Sequence, residues 1–122
     1  MKKQLMKLNY MNQNGRIYNS KLLQPLLNKK YFGEISHPGT PNVDLSKISH
    51  EISNLRIEED ILYGDVNVLD TPQGKKLNKI LSEVIFRPRA LGNINEQNVV
   101  ENFELIAFDA IPKNQDSFNL EN

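Results

Sequence analysis

The sequence predicts an α+β fold, mostly antiparallel, with a small barrel-like sheet and one or two short helices. Three observations carry this. Apolar residues alternate with polar ones in several short runs. Asn, Gly and Pro clusters separate those runs at short intervals. One segment alone, 71–84, carries a full helical pattern behind a good cap. At 122 residues the chain is long enough for one domain with its own core, and residues 1–122 are read as that single domain.

KQLMKLNYM (3–11) reads as the first strand, stopped at Asn12-Gln13-Asn14-Gly15, where Asn and Gly accept the positive φ of a tight turn. Ser20 can cap a short helix through Leu27, with Pro25 breaking it because proline lacks the N–H a helix interior needs. YFGEISHPGTP follows as a strand entering a turn rich in Pro and Gly. Residues 48–69 form a β-hairpin around Glu58-Glu59-Asp60, with Ile48, His50 and Ile52 on one face. Leu55 and Ile57 fall out of phase with them, which places a bulge near Ser53-Asn54. On the return, Leu62, Val66 and Val68 are in phase. Thr71 is an N-cap with Pro72 at the first helical position, and Leu77, Ile80, Leu81 and Val84 share one side of the helix. Gly74 in its first turn weakens the helix and has no local explanation. After IFRPRALG (85–92) and the polar turn NINEQN comes a strand, NFELIAFDAI, where Phe103, Leu105 and Ala107 alternate with Glu104, Ile106 and Phe108. Phe118 and Leu120 are placed to pin the polar tail.

Fifteen basic residues balance fifteen acidic ones, and neither half is strongly one-signed, which argues against a dedicated nucleic-acid or anionic-membrane binder. The absence of cysteine excludes disulfides, thiolate zinc sites and a cysteine nucleophile. No segment approaches the roughly 20 apolar residues of a membrane-spanning helix, and the lysines at the N-terminus precede no signal-peptide-like apolar run. The expected setting is that of a soluble intracellular protein, or one built into a particle inside a cell, with no membrane, no nucleic acid and no cofactor.

Candidate chemistry is sparse. His37, in ISHPG, and His50, in ISHEI, are the two residues with a base near neutral pH. They lack a third ligand at metal-binding spacing, so no metal is expected. His50 on an apolar strand face reads as a half-buried, hydrogen-bonded residue, whereas His37 beside Pro and Gly is placed to line a cleft. DTPQGKK has Leu69 and Lys76 where a phosphate loop needs Gly and Ser or Thr, so a capped helix start is the better reading. Arg87 and Arg89 in RPR can hold a carboxylate or phosphate, or form a solvated edge.

NQNGRIYNSKLL, GEISHP, VDLSKISHEI, GDVNVLDTPQGKKL, RALG and FDAIP occur in that order. This series resembles the prohead core proteases of tailed bacteriophages, whose fold is similar to that of the herpesvirus assembly protease. The family patterns are N-x-N-x-R-x-Y, then G-E-x-x-H-P with the catalytic histidine, V-S-H-x-I, L-x-T-P-x-G-K, and S-S-R-x-x-G with the nucleophile. The resemblance spans roughly residues 9–112. It implies that His37 matches the catalytic histidine, that His50 matches a second histidine able to orient it, and that Arg89 matches the arginine of the serine motif. A third triad member has no assigned position. Arg87 and Pro88 stand where the two serines would be, and a few residues are missing after Glu83.

That departure removes chemistry. A guanidinium offers no nucleophilic lone pair, and proline withdraws an N–H from any oxyanion hole. Ser36, Ser46, Ser49, Ser53 and Ser82 have no positional claim to replace the nucleophile, Ser49 pointing away from His50 by strand alternation. The sequence therefore implies a non-catalytic homologue of a procapsid protease. It would act as a structural or assembly protein among other virion or capsid-assembly proteins, with self-association possible. Two alternatives stand beside it. One is an active serine endopeptidase with a non-standard nucleophile or a partner chain; the other is a small regulatory or anti-defence module that binds through Arg87 and Arg89.

Overall fold

The computed structural model describes residues 1–120. Strand β1 (Lys2–Lys7) is shorter than the sequence suggests, because Asn9 takes a left-handed φ of 68° and turns the chain. A register shift between Gln4 and Met6 lets the adjacent Leu5 and Met6 both be buried. The 12–15 turn forms as expected, with Gly15 at φ 73° and Met11 bridged to Ile17. The expected 20–27 helix is broken into two 3-10 turns, Ser20–Leu22 and Gln24–Leu26, the second carrying Pro25 in its opening positions. Strand β2 (Tyr31–Gly33) follows.

Strands β3 (His50–Glu58) and β4 (Ile61–Val68) make the expected hairpin. Its turn has Glu59 and Asp60 at φ 49° and 64°, the conformation of a tight hairpin turn whose twist suits the strands. The bulge falls between Ser53 and Arg56, with Asn54 at φ 53°. Helix α1 (Pro72–Ile80) is capped by Thr71, whose Oγ1 accepts from Gly74 N at 2.9 Å and donates to the Ile48 carbonyl at 2.8 Å. A Cβ on Gly74 would collide with the Leu69 carbonyl oxygen, which explains the glycine. The helix ends sooner than its pattern suggests: 81–83 form a 3-10 turn and Val84 opens strand β5 (Val84–Ile94). Strand β6 (Val100–Pro112) pairs back along it.

The antiparallel α+β reading holds, but the sheet does not close into a barrel. The strands form a four-stranded sheet, in the order β1-β4-β3-β2, and a separate β5-β6 hairpin. A parallel bridge between Ile35 and Ala110 joins them, with Ala110 N donating to the Glu34 carbonyl and Ser36 N to the Ala110 carbonyl. The core lies between the two layers. Leu5, Met6, Ile52, Leu62 and Val66 meet Phe86, Phe108 and Ala110, and each large buried side chain contributes about 2–3 kcal/mol. From 107 to 111 the simple alternation fails, because both faces of β6 are covered and Phe108, Asp109, Ala110 and Ile111 are all buried. The outer half of the β5-β6 hairpin leaves the core, with Leu91 and Ile94 exposed. No helix among the described residues is long and apolar enough to cross a membrane.

Candidate functional site

The site lies on the face of β5-β6 turned away from the core. Register pairs Phe86 with Ala110 and Arg87 with Asp109, so alternation sends Phe86 toward the core while Arg87, Arg89 and Asp109 share the outer face. The chain leaving β2 crosses that face. Ser36, at φ 68°, bends it so that His37 lies over β6. There His37 Nδ1 donates to Asp109 Oδ2 at 2.7 Å. Asp109 is fully buried, whereas the His37 side chain is 41% exposed. The pairing leaves Nε2 without a partner among the described residues.

Asp109 is also the centre of a buried charge network. Arg89 grips it with both edges of its fork, Nε to Oδ2 at 2.9 Å and Nη2 to Oδ1 at 2.8 Å. Nη2 also donates to Glu34 Oε2 at 3.0 Å, and Nη1 to the carbonyls of Pro41 and Asn42 at 3.2 and 3.0 Å. Glu34 N donates to Asp109 Oδ1 at 3.0 Å. Burial alone would raise the Asp109 carboxyl; bonds from His37, Arg89 and the Glu34 N–H outweigh it and hold the group below the usual range. Asp109 and Glu34 in turn outweigh the burial of Arg89 and raise its pKa.

Arg87 is held just as firmly. Its Nε and Nη2 bind Asp116 Oδ1 and Oδ2 at 2.8 and 3.0 Å, and Nη1 donates to the Gln4 and Phe86 carbonyls at 2.8 Å each. Arg87 and Arg89, expected to bind an external anion, are thus engaged inside the protein. All five N–H donors of Arg89 and four of those of Arg87 are spent internally, and both side chains are buried.

His50 also departs from its assigned role. It is fully buried, its Nε2 lying 2.6 Å from the Phe108 carbonyl oxygen and its Nδ1 2.7 Å from Ser49 Oγ. Burial lowers its pKa, outweighing the Phe108 carbonyl and Asp109, and so favours the neutral imidazole. The group bonded to His37 Nδ1 is Asp109, and His50 is bonded elsewhere. The alternation that separates Ser49 from His50 does not apply either, because β3 begins at His50 and Ser49 lies before it.

His37 and Arg87 do face one cleft, of about 280 Å³, which Arg16, Tyr18, Pro88 and Ser117 help to line. Asp109, Asp116, Glu34 and Ser117 escaped the sequence reading. A single aspartate inside the apolar run IAFDAI was a signal available for the first, since a buried carboxylate requires a partner. Among the described residues no cluster of His, Asp and Glu could hold a metal ion.

With its two layers, a short strand running into a histidine turn, and a final strand whose aspartate holds that histidine, the fold resembles that of a phage prohead protease. Among solved structures it is similar to the capsid assembly protease gp21 of bacteriophage T4. The TM-score is 0.77 at 22% identity, over 91% of this chain and 79% of that one. No family model and no curated protein matches the sequence.

Proposed function

We propose that this chain is a non-catalytic version of the procapsid maturation protease, acting as a structural or assembly protein of a phage particle. The observation that carries this reading is Arg87. It occupies the position at which the resemblance calls for a serine, and its guanidinium is buried against Asp116 and two backbone carbonyls. Attack on a peptide carbonyl needs an oxygen or sulfur nucleophile beside the base, and an arginine supplies neither. On this reading the partners are other virion or capsid-assembly proteins and further copies of the chain, in the virion or the host cytoplasm. The saturated donors of Arg89 weigh against an anion-binding module built on these arginines.

One observation favours a second reading, a serine endopeptidase with a displaced nucleophile. His37 and Asp109 keep the base-and-orienter pairing of a triad, and Ser117 lines the same cleft. Intact-mass measurement after a fluorophosphonate serine probe, at high protein concentration, separates the two. The non-catalytic reading expects no adduct beside a reactive control protease. A stoichiometric adduct lost in both Ser117→Ala and His37→Ala would overturn it.

A further inference from the structure

Residues 113–120 carry none of the strands, yet they are tied to the body at three separate places. The first is Asp116, only 10% exposed, which binds Arg87 through both oxygens. The same carboxylate accepts the Phe118 and Leu120 N–H groups at 2.9 and 2.8 Å, so it shapes the turn of the segment that it anchors. The second is Phe118, buried with its ring 5.9 Å from that of Tyr18. The third is Gln13, whose backbone N–H donates to the Ser117 carbonyl at 2.9 Å and whose side chain donates to Asn119 Oδ1 at 2.8 Å. Between these ties, Gln115, Ser117 and Phe118 form one wall of the cleft that contains His37.

We propose that residues 113–120 are a strap across the His37 cleft, latched to β5 by the Arg87–Asp116 pair, and that opening this one latch widens access to His37. The chemistry suits a latch. A bidentate guanidinium–carboxylate pair fixes direction as well as distance, and it is cut off from water on the Arg87 side. Apart from the latch, the strap is held by Gln13 of the 12–18 turn and by Phe118, which joins the core cluster with Leu120 packed against it. Its backbone hydrogen bonds go to Gln13 and to Asp116 rather than to the β5-β6 ladder, so the strap can loosen without breaking that ladder. Arg87 is then the anchor of a closing element. This holds whether or not the cleft is catalytic.

The test compares hydrogen exchange by mass spectrometry of the whole chain, wild type against Asp116→Asn, with His37 reactivity toward diethyl pyrocarbonate as a second readout. The reagent reports on His37, because the only other histidine, His50, is fully buried. The expected result is exchange at least about tenfold faster in 113–120 and at Gln13, unchanged protection in the β5-β6 ladder, and faster modification of His37. Arg87→Met, which leaves no unpaired buried cation, should reproduce it if Asp116→Asn loosens the whole fold. Strap exchange equal to wild type in an otherwise protected fold overturns the proposal. So does an opened strap with unchanged His37 reactivity, since it would not then wall the cleft. Global unfolding of both variants overturns it too, by making the segment part of the cooperative core.

Discussion

Replacing Arg89 with methionine removes the cation from between two buried carboxylates while keeping a side chain of similar reach. Asp109 is completely buried and Glu34 nearly so, and together they take three of the five N–H bonds that Arg89 makes. Deleting one partner of a buried pair leaves an uncompensated charge, at about 3–5 kcal/mol. The Pro41 and Asn42 carbonyls lose their donor as well, placing the loss at the upper end of that range. Against a typical total of about 5–15 kcal/mol this is severe, and for a chain of this size it lowers Tm by roughly 10–20 °C.

The effect also depends on pH. In the wild type the depressed Asp109 pKa contributes stability above the ordinary carboxylate value near about 4, and that contribution is lost as pH falls through the folded value. Without Arg89 the carboxyl moves back up, so acid unfolding begins at higher pH. Circular dichroism melts and urea titrations at neutral and mildly acidic pH measure both effects. A loss below about 1 kcal/mol with an unmoved acid limb would refute the argument, because it would mean that water or loop rearrangement readily replaces the guanidinium.

His50→Leu leaves the Phe108 carbonyl and the Ser49 hydroxyl without their imidazole partner and should destabilise by about 1–3 kcal/mol. Because burial lowers the His50 pKa, the unfolded chain gains a proton there at a higher pH, near about 6.5, than the folded one does. Wild-type stability therefore falls as pH drops from that value, and urea titrations at two pH values should show a smaller fall in the variant; an equal fall would contradict the assignment. Gly74→Ala would stabilise an unobstructed helix by about 1 kcal/mol, yet here the new methyl meets the Leu69 carbonyl, so a net loss of about 1–3 kcal/mol is expected. A raised Tm would show that the backbone moves aside.

The hairpin turn at Glu59-Asp60, the bulge at Asn54, the Thr71 cap and the interruption at Pro25 were legible because each follows from backbone preferences of a few adjacent residues. The pinning of the tail by Phe118 was legible from hydrophobicity alone. The site was readable only in part. His37 stands in a motif, but its partner lies 72 positions away, and no local rule joins a turn after β2 to the middle of β6. Arg87 and Arg89 looked alike in sequence, as two cations on one strand face. They have different fates because each met a different carboxylate, Asp116 from the tail and Asp109 from the facing strand. Gly74 was opaque because the atom that excludes its Cβ belongs to the segment before the cap.

The bond between His50 and the Phe108 carbonyl has a consequence for the whole molecule. It fastens one layer to the other at a single peptide group, and Gly33 packs so closely there that even a methyl would strike both His50 and that carbonyl. The layers are thus keyed and cannot glide past each other by a fraction of a residue. Phe108 is followed at once by Asp109, which sits on the opposite face and sets the place of His37. The dimensions of the outer cleft are therefore gauged from inside the core, and a change at position 33 or 50 reaches His37 through one step of the chain.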